Sequence, residues 1–479
     1  SLDMGAHTLE MGLTGTTTGA GDVSCIVKRT GVFADNVAYS FGNEKTFVKF
    51  LGVPGTIKPS WLGVRISIGT SPTLAGATLA DYFPVNRTYS FAQAAGGNDR
   101  TIVQLRYLES ELKLSSNEAN LAYWDSYNDG ASNVSYARGH NQLNQDENWV
   151  SLTGMATNFI AIDDDFGTKE WTLANNKTSI KWTGNGSPSY VGDWSLPGNW
   201  DGGVPMADDD VVFSAIDLPV DFRGWPSRNL LSDSVPAVAK SITIGNNARL
   251  NGSGYTITLY GTGNSWINNG TFKGDTLAIP SALSKVVFAN GSATPAVIKG
   301  DSISAFHHLE IAENSSIQLE SDTMLIAGNV TSGSGSVVDF NTYKTTVTYN
   351  GSEQTVINPT GGSGGYHNLI LAGSGTKTLA ADSPLQVKGN FTMSGTASTT
   401  PVQPLLVDTA FTIDAGATFN GGSRTHFVGG DFVTNGTFNA QSSTINFNGA
   451  ADQHISTVNE GPVVFNNIYI PVVSEGKKL

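Results

Sequence analysis

The chain consists largely of short runs in which apolar and polar residues alternate. Examples are TFVKFLG at residues 46–52, TTVTYNG at 345–351 and STINFNG at 443–449. A period of two residues indicates β-strands with one buried face. Gly-Ser, Asn-Gly and Gly-Gly steps separate the runs, and such steps favour tight turns. We therefore expect an all-β protein.

Three segments of the second half repeat one another. KVVFANGSATPAVI is followed by AFHHLEI, TTVTYNGSEQTVI by GYHNLIL, and STINFNGAADQHI by VFNNIYI. Their paired aromatic residues lie 17 or 18 positions apart: Phe288 and Phe306, Tyr349 and Tyr366, Phe447 and Phe465. Coils of about 20 to 25 residues explain such a repeat, so residues 241–479 are predicted to form a right-handed parallel β-helix. A β-sandwich is the rival interpretation, but it does not predict that segments repeat with the same internal spacing.

The first half lacks this period. Its strand candidates, among them LGVRISIG, RTIVQLRYL and NWVSLTG, alternate apolar with polar residues and are joined by polar loops. This pattern predicts an antiparallel β-sandwich over residues 26–174. Residues 2–12 resemble residues 250–261 of the repeat region, so we expect a solenoid-like coil at residues 1–25.

Residues 175–240 include three tryptophans, in WTGNG, GDWSLPGNW and the following GGVP step. This segment resembles the Trp-rich segments that open the solenoid in bacterial surface and autotransporter-like β-helix proteins. With the FNNIYI-type coils, the chain resembles large secreted surface proteins of Bacteroidota. The resemblance implies a Trp-rich start or cap of the solenoid at residues 175–240, an extracellular or cell-surface location and an adhesin-like role.

Composition excludes several classes of partner. The net charge is −14, only 14% of residues are charged, and the 27 Lys and Arg residues form no basic cluster. Nucleic acid binding is therefore not expected. We find no apolar run near the roughly 20 residues that a membrane-spanning helix needs. The single cysteine, Cys25, is predicted to be a small buried residue at a strand.

The histidine pair His307–His308 corresponds in the other two repeats to His367–Asn368 and Asn466–Asn467. Neighbours on a strand point to opposite faces, so such a pair is poorly placed to chelate one metal ion. A position occupied by either His or Asn is better explained as a turn at which the side chain bonds backbone groups. A glycine recurs at nearly the same distance after the aromatic residue of the first two repeats: Gly328 lies 22 residues after Phe306, and Gly389 lies 23 residues after Tyr366.

The other notable polar and aromatic residues are better explained by structural roles than by binding or catalysis. Trp182, Trp194 and Trp200 could stack sugars, but we expect them to cover the end of the solenoid core. The triplets Asp163–Asp165 and Asp208–Asp210 could bind calcium, but they match no calcium-loop pattern and are predicted to be solvated turns. Glu320 and Asp322 are an isolated acidic pair in a presumed loop. We therefore predict no catalytic residue, no metal site and no cofactor, and we assign no binding residue.

The last residues, FNNIYIPVVSEGKKL, and the first, SLDMGAHTLEMG, read as adjoining strands of one coil. Two explanations are open: a longer tandem chain, or copies that stack head to tail. We expect a non-catalytic structural or adhesive surface protein, a filament subunit or one unit of a stalk, whose partners are other copies or adjoining repeats and which could contact surface glycans. The alternative is a carbohydrate-binding or polysaccharide-degrading β-helix protein.

Overall fold

A computed structural model of the chain divides into two compact units. The first comprises Ser1–Tyr190, Trp194–Asp209 and Trp225–Pro236, and the second Val191–Asp193, Asp210–Gly224 and Ala237–Leu479. The structure describes residues 2–19, 21–69, 82–113, 116–128, 133–140, 142–163, 166, 169–177, 179–182, 194, 200–202, 204–214, 220–221, 237–251, 256–273, 284–457 and 462–471. The protein is all-β, and the expected combination of a parallel β-solenoid with an N-terminal antiparallel sheet is confirmed.

The first unit contains two sheets. The 8-stranded sheet has the order Leu2–Met11, Val23–Thr30, Trp61–Ile68, Arg87–Gln93, Lys169–Asn175, Leu121–Asn128 and Asn133–Gly139, with Ile162–Asp163 beside Arg87–Gln93. The 5-stranded sheet has the order Gln142–Asn144, Trp149–Ala156, Arg100–Arg106, Phe47–Phe50 and Ala38–Ser40. The unit also has a strand at Ser179–Lys181, 3₁₀ turns at Glu109–Glu111 and Glu118–Asn120, and one helical turn at Thr157–Ile160.

Apolar side chains from both sheets of the first unit form one buried cluster. Val27 and Val64 enter it from the larger sheet, and Val48 and Val103 from the smaller one. Alternation along each strand sends these residues inward, as in a β-sandwich. The three candidates LGVRISIG, RTIVQLRYL and NWVSLTG each overlap a strand with a buried face.

The first strand lies elsewhere than the sequence predicted. Leu2–Met11 pairs in parallel with Val23–Thr30 and forms one edge of the 8-stranded sheet, in contrast to the solenoid coil expected at residues 1–25. Alternating residues fit a parallel strand in either setting, so the similarity to residues 250–261 could not decide between them.

Arg87 forms a fully buried ion cluster inside the first unit. Its guanidinium donates to both carboxylate oxygens of Asp22, at 3.0 and 2.8 Å, and to both of Glu111, at 2.9 Å each. Burial would raise the pKa of Asp22, but Arg87 lowers it below its ordinary value. The cluster joins the segment before Val23–Thr30 to the strand Arg87–Gln93.

The second unit is the solenoid, in which strands of successive coils pair in parallel. Its central 11-stranded sheet contains Val220–Asp221, Arg249–Asn251, Thr271–Lys273, Ser304–Phe306, Thr323–Ile326, Thr346–Tyr349, Asn368–Leu371, Phe391–Met393, Phe411–Ile413, Phe432–Thr434 and Ile455–Ser456. Two further sheets flank its first half. One contains Asp210–Phe213, Ser241–Ile244, Gly263–Asn268, Ala296–Lys299, Ser316–Leu319 and Val337–Asp339, and the other Ala237–Ala239, Thr256–Leu259, Lys285–Phe288, His308–Ile311 and Val330–Ser332.

The second half of the solenoid also has two flanking sheets. One contains Gln354–Val356, Ser374–Leu379, Thr396–Thr399, Thr418–Asn420 and Thr437–Asn439. The other contains Leu385–Val387, Leu405–Val407, Thr425–Val428, Thr444–Phe447 and Asn467–Tyr469. Each coil therefore supplies three strands, one to each face.

The three sequence repeats occupy different faces of the solenoid. Lys285–Phe288 pairs with His308–Ile311 on a flanking sheet of the first half, and Thr346–Tyr349 pairs with Asn368–Leu371 on the central sheet. The third repeat pairs Thr444–Phe447 with Asn467–Tyr469 on a flanking sheet of the second half. The repeat therefore specifies a strand and the strand stacked on it one coil later, whichever face they occupy.

Stacked phenylalanines fill the centre of the later coils. Phe391, Phe411 and Phe432 are register partners on consecutive coils, all fully buried, with ring centroids 5.0 Å apart at each step. Aromatic pairs at this separation add to the free energy gained by burial.

Phe411→Ala should lower the free energy of unfolding of the solenoid by about 3–5 kcal/mol, because it removes the middle ring of the stack and leaves a cavity. Thr412→Ala, a change at the adjacent, partly exposed position, is the matched control and should cost under about 0.5 kcal/mol. Chemical denaturation followed by circular dichroism measures both, and equal losses would contradict the assignment of the ring to the core.

Candidate functional site

The His/Asn position of the repeat binds backbone, as the sequence predicted. His308 Nδ1 accepts a hydrogen bond from the backbone N–H of Asn329 at 3.1 Å. Asn368 Oδ1 accepts the corresponding bond from the N–H of Asn390 at 2.8 Å. Each side chain thus satisfies a backbone donor one coil later, and burial lowers the pKa of His308. The two residues have the same structural role.

Gly328 and Gly389 are the glycines that accompany this position. A Cβ at Gly328 would lie 2.6 Å from His308 Nδ1 and 2.7 Å from the carbonyl oxygen of His307. A Cβ at Gly389 would similarly collide with Asn368 Oδ1. Glycine is therefore required at 328 and 389, because the side chain of His308 or Asn368 occupies the space that a Cβ would fill.

Two buried glutamines, Gln354 and Gln453, stabilise a second type of corner. Neither was identified from the sequence pattern. Gln354 Oε1 accepts from the N–H of Gly351, and its Nε2 donates to two carbonyl oxygens of the preceding coil. Gln453 makes the same set of bonds, with Oε1 accepting from the N–H of Gly449. The signal was present in the sequence, because both glutamines follow an Asn-Gly step within the repeat.

Lys377 is a fully buried lysine at the first of these corners. Its ammonium donates to the carbonyl oxygens of Gly351 and Ser352 and to Gln354 Oε1, at 2.6, 3.2 and 2.6 Å. Burial lowers its pKa to about 8. Its three acceptors match the three N–H groups of an ammonium, so Lys377 is a structural part of the corner.

His426 is fully buried within the solenoid. Its Nδ1 accepts from the N–H of Leu405 at 3.1 Å, and its Nε2 lies 2.8 Å from the carbonyl oxygen of Gly421. These contacts require the neutral ring with the proton on Nε2. Burial lowers its pKa below the ordinary value.

The three tryptophans pack against one another. Trp200 lies between Trp182 and Trp194, with ring centroids 4.8 and 4.7 Å away, and all three are at most 5% exposed. All three lie among the residues assigned to the first unit. Their faces are covered, so they offer no open platform for a sugar.

The aspartates of the second triplet point in different directions. Asp209 is buried, and its Oδ2 accepts from the N–H of Met206 at 2.8 Å. Asp210 Oδ1 accepts from Ser241 Oγ at 2.6 Å, and Asp208 is exposed. Among the described residues, no three carboxylate, imidazole or thiol groups are placed to hold a metal ion. Residues 164–165 of the first triplet lie outside the described residues.

Glu320 and Asp322 lie at a corner, as expected, on either side of the buried Ser321. Glu320 accepts a hydrogen bond from the Tyr343 hydroxyl, which raises the pKa of that phenol. Cys25 is 3% exposed within the strand Val23–Thr30, and burial raises the pKa of its thiol. Its predicted role as a small buried residue is confirmed.

The last described coil exposes residues that are buried elsewhere. Thr437–Asn439, Ile455–Ser456 and Asn467–Tyr469 are each the final strand of their sheets in the described part of the chain. Ile468 is 45% exposed, whereas Leu309 and Leu369 at the same repeat position are fully buried. This coil is the candidate functional site, because it combines apolar side chains with the edges of three sheets.

No protein-family model, curated protein or solved structure matches this chain. Within the described residues, helices are too short to carry the chain across a membrane.

His308→Leu should lower the free energy of unfolding by about 1 kcal/mol, because it removes the acceptor for the N–H of Asn329. His308→Asn should stay close to wild type, because Asn368 fills the same position in the next repeat. Urea denaturation of the two variants tests this, and equal losses would show that the histidine contributes only packing.

Wild-type stability should fall as the pH is lowered below 6.5, because the unfolded chain binds a proton that buried His426 resists. His426→Gln should weaken this dependence, since an amide can make both hydrogen bonds without titrating. His454→Gln, at an exposed site, is the matched control and should leave the dependence unchanged. Thermal melts between pH 7 and 5 measure it, and identical slopes in all three proteins would contradict the role of His426.

Proposed function

We propose that the protein is a non-catalytic structural or adhesive protein of the cell surface. Its solenoid acts as a stalk or filament segment, and the last coil stacks on another copy or on a further repeat. The single observation that supports this most directly is the exposure of Ile468 at a position buried in the other two repeats.

The edges of the last coil favour a β-rich partner. A terminal strand has backbone N–H and C=O groups on its outer side that another strand can pair with. Ile455, Tyr469 and Ile470 add apolar surface, with exposures of 38, 55 and 45%. Backbone pairing would fix the orientation of an added coil, and apolar contact would supply most of the free energy.

A complementary edge exists in the first unit. Leu2–Met11 is an edge strand of the 8-stranded sheet, and among the described strands it pairs only with Val23–Thr30; Leu2 is 56% exposed. A contact between the last coil of one copy and this strand of the next joins two different surfaces. Such a contact does not close on itself, so it produces a filament.

The interior of the solenoid supports a structural role. Fully buried aliphatic and aromatic side chains fill it from Ile242 to Phe447. The stacked Phe391, Phe411 and Phe432 rings show this dense packing. An interior of this kind gives stiffness and length to the solenoid.

The double variant Ile468→Lys, Ile470→Lys should prevent assembly, because it places charge on the apolar edge of the last coil. Val337→Lys, at an exposed apolar residue on a middle coil, is the matched control and should assemble like wild type. Electron microscopy and light scattering over a concentration series measure filament length and mass. Dispersed wild-type monomers at high concentration would refute stacking between copies.

A further inference from the structure

A groove of about 610 Å³ lies on the side of the solenoid where two successive coils turn, between residues 299–303 and 320–323. Its volume falls in the range of ligand sites, about 300–1,000 Å³. It lies well before the last coil in the chain, so ligand binding in this groove would not depend on stacking between coils of different copies. Its walls combine three carboxylates, an ammonium, hydroxyls and one exposed aliphatic side chain.

Ser321 is the residue of this groove that the fold does not explain. It is only 4% exposed, and its Oγ has no hydrogen-bond partner among the described residues. A buried hydroxyl without a partner costs free energy that an alanine would not. The groove that Ser321 lines offers the space for a partner from outside the chain.

The sequence-equivalent corner one repeat later shows that these side chains are not needed for the turn. There, Ala380 and Ala381 stand in place of Glu320 and Ser321. The backbone bond is the same at both corners. The N–H of Glu320 donates to Ile298 at 2.8 Å, and that of Ala380 donates to Val356 at 2.9 Å. The turn therefore does not require the side chains of Glu320 and Ser321, and of the two only Glu320 has a partner in the described chain, the Tyr343 hydroxyl.

The charge and surface of the groove narrow the class of ligand. Asp301, Glu320 and Asp322 outweigh Lys299, so the groove is acidic and disfavours anions. Ile303 is 52% exposed and offers an apolar face beside these hydrogen-bonding groups. No three ligating groups converge for a metal ion in the described chain. Acceptors, hydroxyls and a small apolar surface together suit a sugar ring, which has hydroxyls at its rim and C–H groups on its faces.

We propose that this groove binds a neutral or amino-sugar glycan. Asp301 and Asp322 accept hydrogen bonds from sugar hydroxyl or amino groups. Ser321 contributes its free hydroxyl, and Ile303 packs against the ring.

The test is calorimetric titration of the whole protein with cellotetraose, a chitosan tetramer and trigalacturonate. We expect binding of at least one of the first two and no binding of the acidic trimer. Asp301→Asn and the double variant Glu320→Ala, Ser321→Ala should each weaken binding about tenfold or more. The double variant carries the residues of the equivalent corner, so it should fold.

Asp382→Asn is the matched control, because Asp382 is the sequence equivalent of Asp322 and does not line this groove. It should bind like wild type. The proposal is overturned if no neutral or amino-sugar probe binds, if trigalacturonate binds best, or if the double variant binds as tightly as wild type. Titration with Ca²⁺ alone gives a further check, since tight binding abolished by Asp301→Asn would show a cation site instead.

Discussion

The backbone hydrogen bond between successive coils is the constraint on which the solenoid depends. In the described part of this unit, strands pair in parallel with strands of the adjacent coils, which satisfy their N–H and C=O groups. This requirement fixes the register between coils but not their length: Phe391, Phe411 and Phe432 are 20 and 21 residues apart, whereas the register partners Phe272 and Ser304 are 32 residues apart. It also means that a coil with a neighbour on one side only has unsatisfied backbone groups, whatever its sequence.

The corners carry a second layer of bonding, between side chains and the backbone. His308 and Asn368 reach forward to the next coil, while Gln354 and Gln453 reach back to the preceding one. His308 and Asn368 differ in chemistry but satisfy the same kind of backbone group, an N–H, whereas the glutamines donate to carbonyl oxygens of the preceding coil. Residues of different type can therefore occupy one repeated position, because each can accept a hydrogen bond from the backbone N–H that lies there. Ser321 stands apart, because it is a polar corner residue whose hydroxyl has no hydrogen-bond partner in the part of the chain that the structure describes.

The two units are stabilised differently. The first encloses charge: Arg87 is buried with Asp22 and Glu111, and Asp125 is buried with Arg138, at 2.7 Å, and Lys169, at 2.9 Å. In the solenoid, the buried side chains of Gln354, Gln453 and His426 bond the backbone.

The sequence by itself determined the all-β fold, the usual coil length and the role of the His/Asn position. These follow from local rules: a period of two for strands, a fixed spacing between repeats, and short polar side chains at turns. Only the tertiary structure decided which face each repeat occupies, that Leu2–Met11 joins the 8-stranded sheet, and that Trp182, Trp194 and Trp200 are buried together. The groove beside Ser321 was equally hidden, because it forms between residues about 20 positions apart that one turn of the coil brings together. Alternation shows that a strand has a buried face, but its partner depends on the path of the whole chain.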